Sequence, residues 1–126
     1  MPFGKGMDQL NHIDYRKDET ILLGYYATEF QRTGIYTEIT TAPRASFYRF
    51  TYPEDSLKSL LVDAGFFLGE QPTPDAREAQ QFVGSEIQII SDHEVMGYTR
   101  IRGGWNNGRA YTVYFYADRK STRLNS

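Results

Sequence analysis

Cysteine is absent from the 126 residues, which excludes disulfides, thiolate nucleophiles and thiolate zinc sites. That absence leaves the compartment open between the cytosol and a bacterial envelope. Histidine is scarce: His12 and His93 stand 81 positions apart, too few and too isolated to suggest a metal site. Charge of one sign is lacking too, with 14 basic against 16 acidic residues and a net charge of −2. Nothing electrostatic therefore points to nucleic acid or an anionic membrane. No apolar run approaches the roughly 18 residues of a membrane helix. The opening "MPFGKGMDQLNHIDYRKDE" has no apolar centre, so it does not read as a signal peptide. There is one tryptophan, Trp105.

Aromatics are plentiful, with ten Tyr and eight Phe, a composition that favours strands and is compatible with carbohydrate contact. The hydropathy period is two almost throughout. In "TGIYTEITTA", Ile35, Thr37 and Ile39 alternate with Tyr36, Glu38 and Thr40; in "RASFYRFTYP", Phe47, Arg49 and Thr51 alternate with Tyr48, Phe50 and Tyr52. Pro43 ends the first run and turns the chain. "LKSLLVDAGFFLG" reads as a more buried strand. "SEIQIIS" and "EVMGYTRIRG" read as strands joined by the polar turn "SDHE", and "AYTVYFYA" as the last strand. With "GYYATEF" this gives seven strands. Only "PDAREAQQF" has helical character, as one or two turns or a crossing loop. The expected fold class is all-β, an antiparallel β-sandwich that is an incomplete fragment.

Few residues invite chemistry. A glycosidase needs two carboxyl groups about 5–10 Å apart, and no pair among the acids is singled out. Asp63, inside "LLVDAGFF", is a carboxylate in an apolar stretch, where desolvation would raise its pKa; the preferred reading is an Asp that bonds the backbone amides of the turn at Gly65. Glu29 and Glu38 alternate outward and are expected to be solvated. There is no phosphate-binding glycine loop and no nucleophile elbow. Gly103 and Gly104 suggest a turn with positive φ, and "NG" at 107–108 is a hairpin signal. This leaves "RGGWNNGR", with Trp105 between Arg102 and Arg109. Trp105 could fold back as a lid over the open end of the sandwich, or stack on a sugar while Arg102, Asn106 and Arg109 bond its hydroxyls. On the residues alone the lid is slightly favoured, and composition leaves both open.

After Ala117 the pattern breaks. "DRKSTRLNS" has no strand period, and its "RKSTRLNS" resembles translated sequencing adapter. Residues 1–117 are therefore expected to be part of an N-terminal β-sandwich domain, and 118–126 a non-native or disordered tail, with the natural protein continuing beyond this segment.

Three ordered stretches resemble the N-terminal domain of glycoside hydrolase family 92, the calcium-dependent exo-acting α-mannosidases. In "NHIDYRKDETILLGYYATEF", His12, Glu19 and Gly24-Tyr25-Tyr26 match, with Leu23 where the family usually has Pro. "GIYTEITTAPRASFYRFTYPE" is similar to the family's Glu-hydrophobic-Thr strand followed by its Arg-Phe-Thr-Tyr-Pro pattern, with Tyr48 where His is common. "GYTRIRGGWNNGRAYTVYFYA" is similar to the Gly-Tyr-x-Arg-x-x-Gly-Gly-Trp motif with its aromatic strand. The resemblance covers residues 11–117 and is absent over 69–82.

The resemblance implies a parent enzyme that removes terminal α-mannose, with this β-sandwich packed on a C-terminal helical catalytic domain and the mannose site between them. It places the catalytic acid, the base and the calcium environment mainly in that second domain, so this chain alone is expected to be inactive. The parent is expected in a bacterial periplasm or outside the cell. Within that frame Trp105 is preferred as an interdomain wedge, because the neighbouring glycines allow close approach and Trp buries a large area; sugar stacking comes second. The rival classes are a free-standing carbohydrate-binding module and a structural docking domain.

Overall fold

A computed structural model of the chain describes residues 2–3, 13–67, 80–104 and 108–120. Their regular structure is strand: β1 (Pro2–Phe3), β2 (Arg16–Leu22), β3 (Tyr25–Phe30), β4 (Tyr36–Ala42), β5 (Ala45–Thr51), β6 (Ser59–Leu60), β7 (Gln81–Ile89), β8 (Glu94–Arg102) and β9 (Tyr111–Asp118). The strands form a four-stranded antiparallel sheet β2-β3-β4-β5, a three-stranded antiparallel sheet β7-β8-β9 and a short β1-β6 ladder. The all-β, antiparallel class read from the sequence holds, in keeping with a β-sandwich. The chain divides into two compact units, Met1–Val62 and Asp63–Ser126.

In the first unit the sheet is a meander, and each turn has a local cause. Leu23 and Gly24 connect Leu22 to its partner Tyr25, with Gly24 at φ 75°. Pro43 and Arg44 connect Ala42 to its partner Ala45, as the proline suggests. The longer β3–β4 loop is organised by Asp14, whose Oδ1 accepts from the amides of Tyr15 and Arg32, both at 2.8 Å. Its Oδ2 accepts from the Thr33 amide and hydroxyl, both at 3.1 Å. Partial burial pushes the Asp14 carboxyl up, but these four bonds outweigh it and hold the group below its ordinary value. Period two is visible at the start of β4, where Ile35, just before the strand, and Thr37 are buried while Tyr36 between them is exposed; Ala27 and Thr28 of β3 are buried as well.

β2 has no sequence counterpart in the seven expected strands. Its residues are all exposed, so hydrophobic periodicity gives no sign of it. The register shifts between Lys17 and Thr20, and Asp18 adopts φ 50° at that bulge. The expected buried strand over 57–69 is a correction. Among its described residues only Ser59–Leu60 pair in a strand, and Asp63 Oδ1 instead accepts from the amides of Gly65 (2.9 Å) and Phe66 (3.1 Å). That Asp-centred turn offers the backbone an alternative to a sheet ladder.

In the second unit β7 and β8 are joined at Ile90–His93, with the amides of Ile90 and Ser91 donating to the Glu94 carbonyl (3.0 and 3.3 Å). β7 begins at Gln81, so the end of "PDAREAQQF" is strand; its residues 74–79 lie outside the described residues. On one face of this sheet Ile87, Gly97 and Phe115 lie in register, as do Ser85, Thr99 and Val113. Gly97 is there for space. A Cβ on it would stand 2.1 Å from the Glu86 carbonyl oxygen and 2.9 Å from the Phe115 ring, so the ring covers bare backbone.

Candidate functional site

The loop between β8 and β9 is built on glycines that the backbone requires. Gly103 and Gly104, both buried, adopt φ 91° and 69°, and Gly108 adopts φ 93°, a region that side chains other than glycine's enter only with strain. The start of β7 braces this loop from below. The Gln80 side chain lies 3.4 Å from where a Gly104 Cβ would stand. Gln81, opposite Arg102 in the ladder, accepts the Arg102 Nε–H through its Oε1 at 2.7 Å. Arg102 is exposed and held by one edge of its guanidinium, and Arg109 is exposed on the far limb of the loop. Trp105 and Asn106 lie outside the described residues. Of the four residues read as a sugar or interdomain site, Arg102 and Arg109 thus fall on the two limbs of one glycine-built hairpin loop.

A second constellation escapes the sequence reading. Glu38 is not solvated: its side chain is 14% exposed, and both oxygens are engaged. Arg49 donates Nε–H to Oε2 at 2.6 Å and Nη2–H to Oε1 at 2.8 Å, and the Tyr25 hydroxyl donates to Oε1 at 2.8 Å. The Arg49 guanidinium, then the Tyr25 hydroxyl, hold the Glu38 carboxyl down to about 2. The bond to Glu38 likewise drives the Tyr25 phenol well above its usual range. Its signal was in the sequence: a two-residue turn at Pro43–Arg44 puts Glu38 directly opposite Arg49. Glu29 pairs with Lys17 at 3.2 Å.

At the β7–β8 turn, Glu94 accepts from the Tyr116 hydroxyl and, at 2.8 Å, from Ser91 Oγ. Those two bonds, the Tyr116 one first, hold Glu94 below its ordinary value, and Tyr116 is pushed up to about 12 by the same bond. His93 is exposed, as expected of a turn residue, with its Nδ1 2.9 Å from Asp118 Oδ1. His12 lies outside the described residues.

A glycosidase acid must hold its proton near neutral pH, so its pKa is raised. Asp14, Glu38 and Glu94 are all shifted the other way. Asp63 serves its own turn. Among the described residues no three His, Cys, Asp or Glu side chains cluster in a way that could hold a metal ion. No helix among them is long and apolar enough to cross a membrane.

The family model described as the glycosyl hydrolase family 92 N-terminal domain matches residues 5–125. Comparison with curated proteins and with solved structures gives no match.

Proposed function

The chain belongs to glycosyl hydrolase family 92, as its N-terminal domain, and from this premise we propose that it serves a parent enzyme removing terminal α-mannose from glycans. The family match over residues 5–125 carries the reading. The chain's role is non-catalytic: it packs on a helical catalytic domain and borders the sugar site. The acid, the base and the calcium environment of the parent come mainly from that other domain.

The β8–β9 loop is the part assigned to this contact. Gln81 holds Arg102 on one limb of the loop through its Oε1 at 2.7 Å, which keeps the ordering cost of that side chain low on docking. Arg102 and Arg109 can present planar donors to carboxylates or sugar hydroxyls. Trp105 is the wedge, an anchor whose truncation leaves a partner pocket partly empty at a cost on the order of 2–4 kcal/mol.

The test is Trp105→Ala in the complete parent enzyme, read by thermal unfolding and by α-mannoside kinetics. Loss of stability together with loss of turnover is the expected result. Unchanged stability with lost activity would replace the wedge by a sugar-stacking role. Equal destabilisation of the isolated chain and the intact enzyme would make Trp105 a lid on its own domain.

A further inference from the structure

Arg102 is the last residue of β8, so the ladder sets its backbone, and Gln81 stands directly opposite on β7. The side-chain bond between them runs from Arg102 Nε–H to Gln81 Oε1 at 2.7 Å. Its direction is unambiguous, because a guanidinium has donors only and the amide must turn its oxygen towards it. The N–H groups of the two Nη nitrogens are not used by this bond, and they form a flat fork that matches a carboxylate.

Arg49 supplies the contrast within the same chain. Its Nε–H is also bonded, but to the Glu38 carboxylate, and a second bond from Nη2 closes the ion pair. Arg16, Lys17 and His93 face carboxylates as well, whereas Arg102 and Arg109 enter no ion pair with a described residue. Gln81 therefore does half of what Glu38 does: it orients a guanidinium without neutralising it. A sugar hydroxyl makes little use of that difference, since a guanidinium paired with a carboxylate still donates to neutral oxygens. A carboxylate does make use of it, because the attraction depends on charge left uncompensated.

We propose that Gln81 is a positioning residue, holding Arg102 oriented and uncompensated to receive a carboxylate of the catalytic domain. The inference rests on the reading of the β8–β9 loop as the interdomain contact. It narrows the partner of Arg102 from a carboxylate or a sugar hydroxyl to a carboxylate.

The test uses the complete parent enzyme with Gln81→Glu, Gln81→Met and Arg102→Gln, read by kcat/KM on an α-mannoside and by thermal unfolding. Gln81→Glu keeps an acceptor for Nε–H but adds a charge that closes Arg102 as Glu38 closes Arg49. Gln81→Met removes the acceptor and leaves the guanidinium charge in place. Gln81→Glu should lower kcat/KM about ten-fold and Gln81→Met about three-fold, the order expected where charge outweighs orientation. The unfolding temperature of the parent should fall in the same order. In an Arg102→Gln background, Gln81→Met should change kcat/KM by less than about two-fold, since both residues act through one guanidinium.

A larger loss in Gln81→Met than in Gln81→Glu would overturn the carboxylate and leave a sugar hydroxyl as the partner. A Gln81→Met loss that persists undiminished without Arg102 would make Gln81 a purely structural residue and overturn the proposal. If Arg102→Gln costs activity while neither Gln81 variant does, the proposal falls and the loop contact stands. If Arg102→Gln is silent as well, the assignment of Arg102 to that contact falls with it. Arg102→Gln destabilising the 126-residue chain as much as the parent would place the carboxylate within this chain, which also overturns the proposal.

Discussion

Glu38 is held by three side-chain hydrogen bonds, and its effect on stability has a definite pH window. The folded-state pKa of about 2 lies below the ordinary value of about 4.5. A carboxylate depressed on folding stabilises fully above its unfolded pKa, and the contribution disappears as pH falls through the folded one. Acid unfolding of the first unit should therefore steepen between about pH 4.5 and 2, and Glu38→Gln should flatten that limb while leaving the pH 6–8 region unaltered. Because Arg49 is 74% exposed, the effect should shrink in 1 M salt. Superimposable acid limbs for the two proteins, measured by tryptophan-independent far-ultraviolet dichroism, would remove Glu38 from the account. The sequence reading took Glu38 as solvated because alternation alone tells which face a residue is on, not what stands across from it. The register that the Pro43–Arg44 turn imposes would have told it.

At the scale of the element, the β7–β8–β9 sheet contains its own control experiment in two glycines. Gly97 has the Glu86 carbonyl and the Phe115 ring where its Cβ would go, while Gly84 has nothing within 4 Å. Neither has the positive φ that would penalise alanine on backbone grounds. Gly97→Ala should cost about 3 kcal/mol, the upper range of overpacking, because part of the obstruction is backbone and cannot rotate away. Gly84→Ala should be neutral or stabilise by a few tenths to about 1 kcal/mol through the unfolded chain. Urea unfolding of both variants checks the pair; equal effects would mean that Phe115 does not lie over Gly97. This sheet was legible because its strands alternate and its turns carry Asp, His and Gly. The 57–69 stretch was misread for the opposite reason. It is apolar enough for a strand, and only the Asp63 side chain, which takes two amides into a local turn, redirects it. β2 could be found only through its partner, since an exposed, charged edge has no period to read.

For the whole molecule, the family match over residues 5–125 ties the chain to a glycoside hydrolase more firmly than any one side chain does. The three shifted carboxyls are all more acidic than usual. Each is ionised near neutral pH and engaged in holding a loop, a sheet face or a turn. The sequence placed the class of fold and the motifs of the family; the chemistry that splits a glycosidic bond was never legible here, because the residues that matched are those of strands and turns. The 126-residue chain should accordingly release no mannose from an α-linked mannobiose at any pH from 4 to 8, with or without added calcium. Mixed with the separately produced remainder of its parent, it should raise that partner's unfolding temperature and produce turnover that neither piece has alone. The readouts are free mannose and thermal unfolding of each piece and of the mixture. Turnover by the chain alone would place an acid and a base within these residues and end the non-catalytic assignment. Turnover by the remainder alone, unchanged on adding this chain, would end the proposal that the domain borders the sugar site.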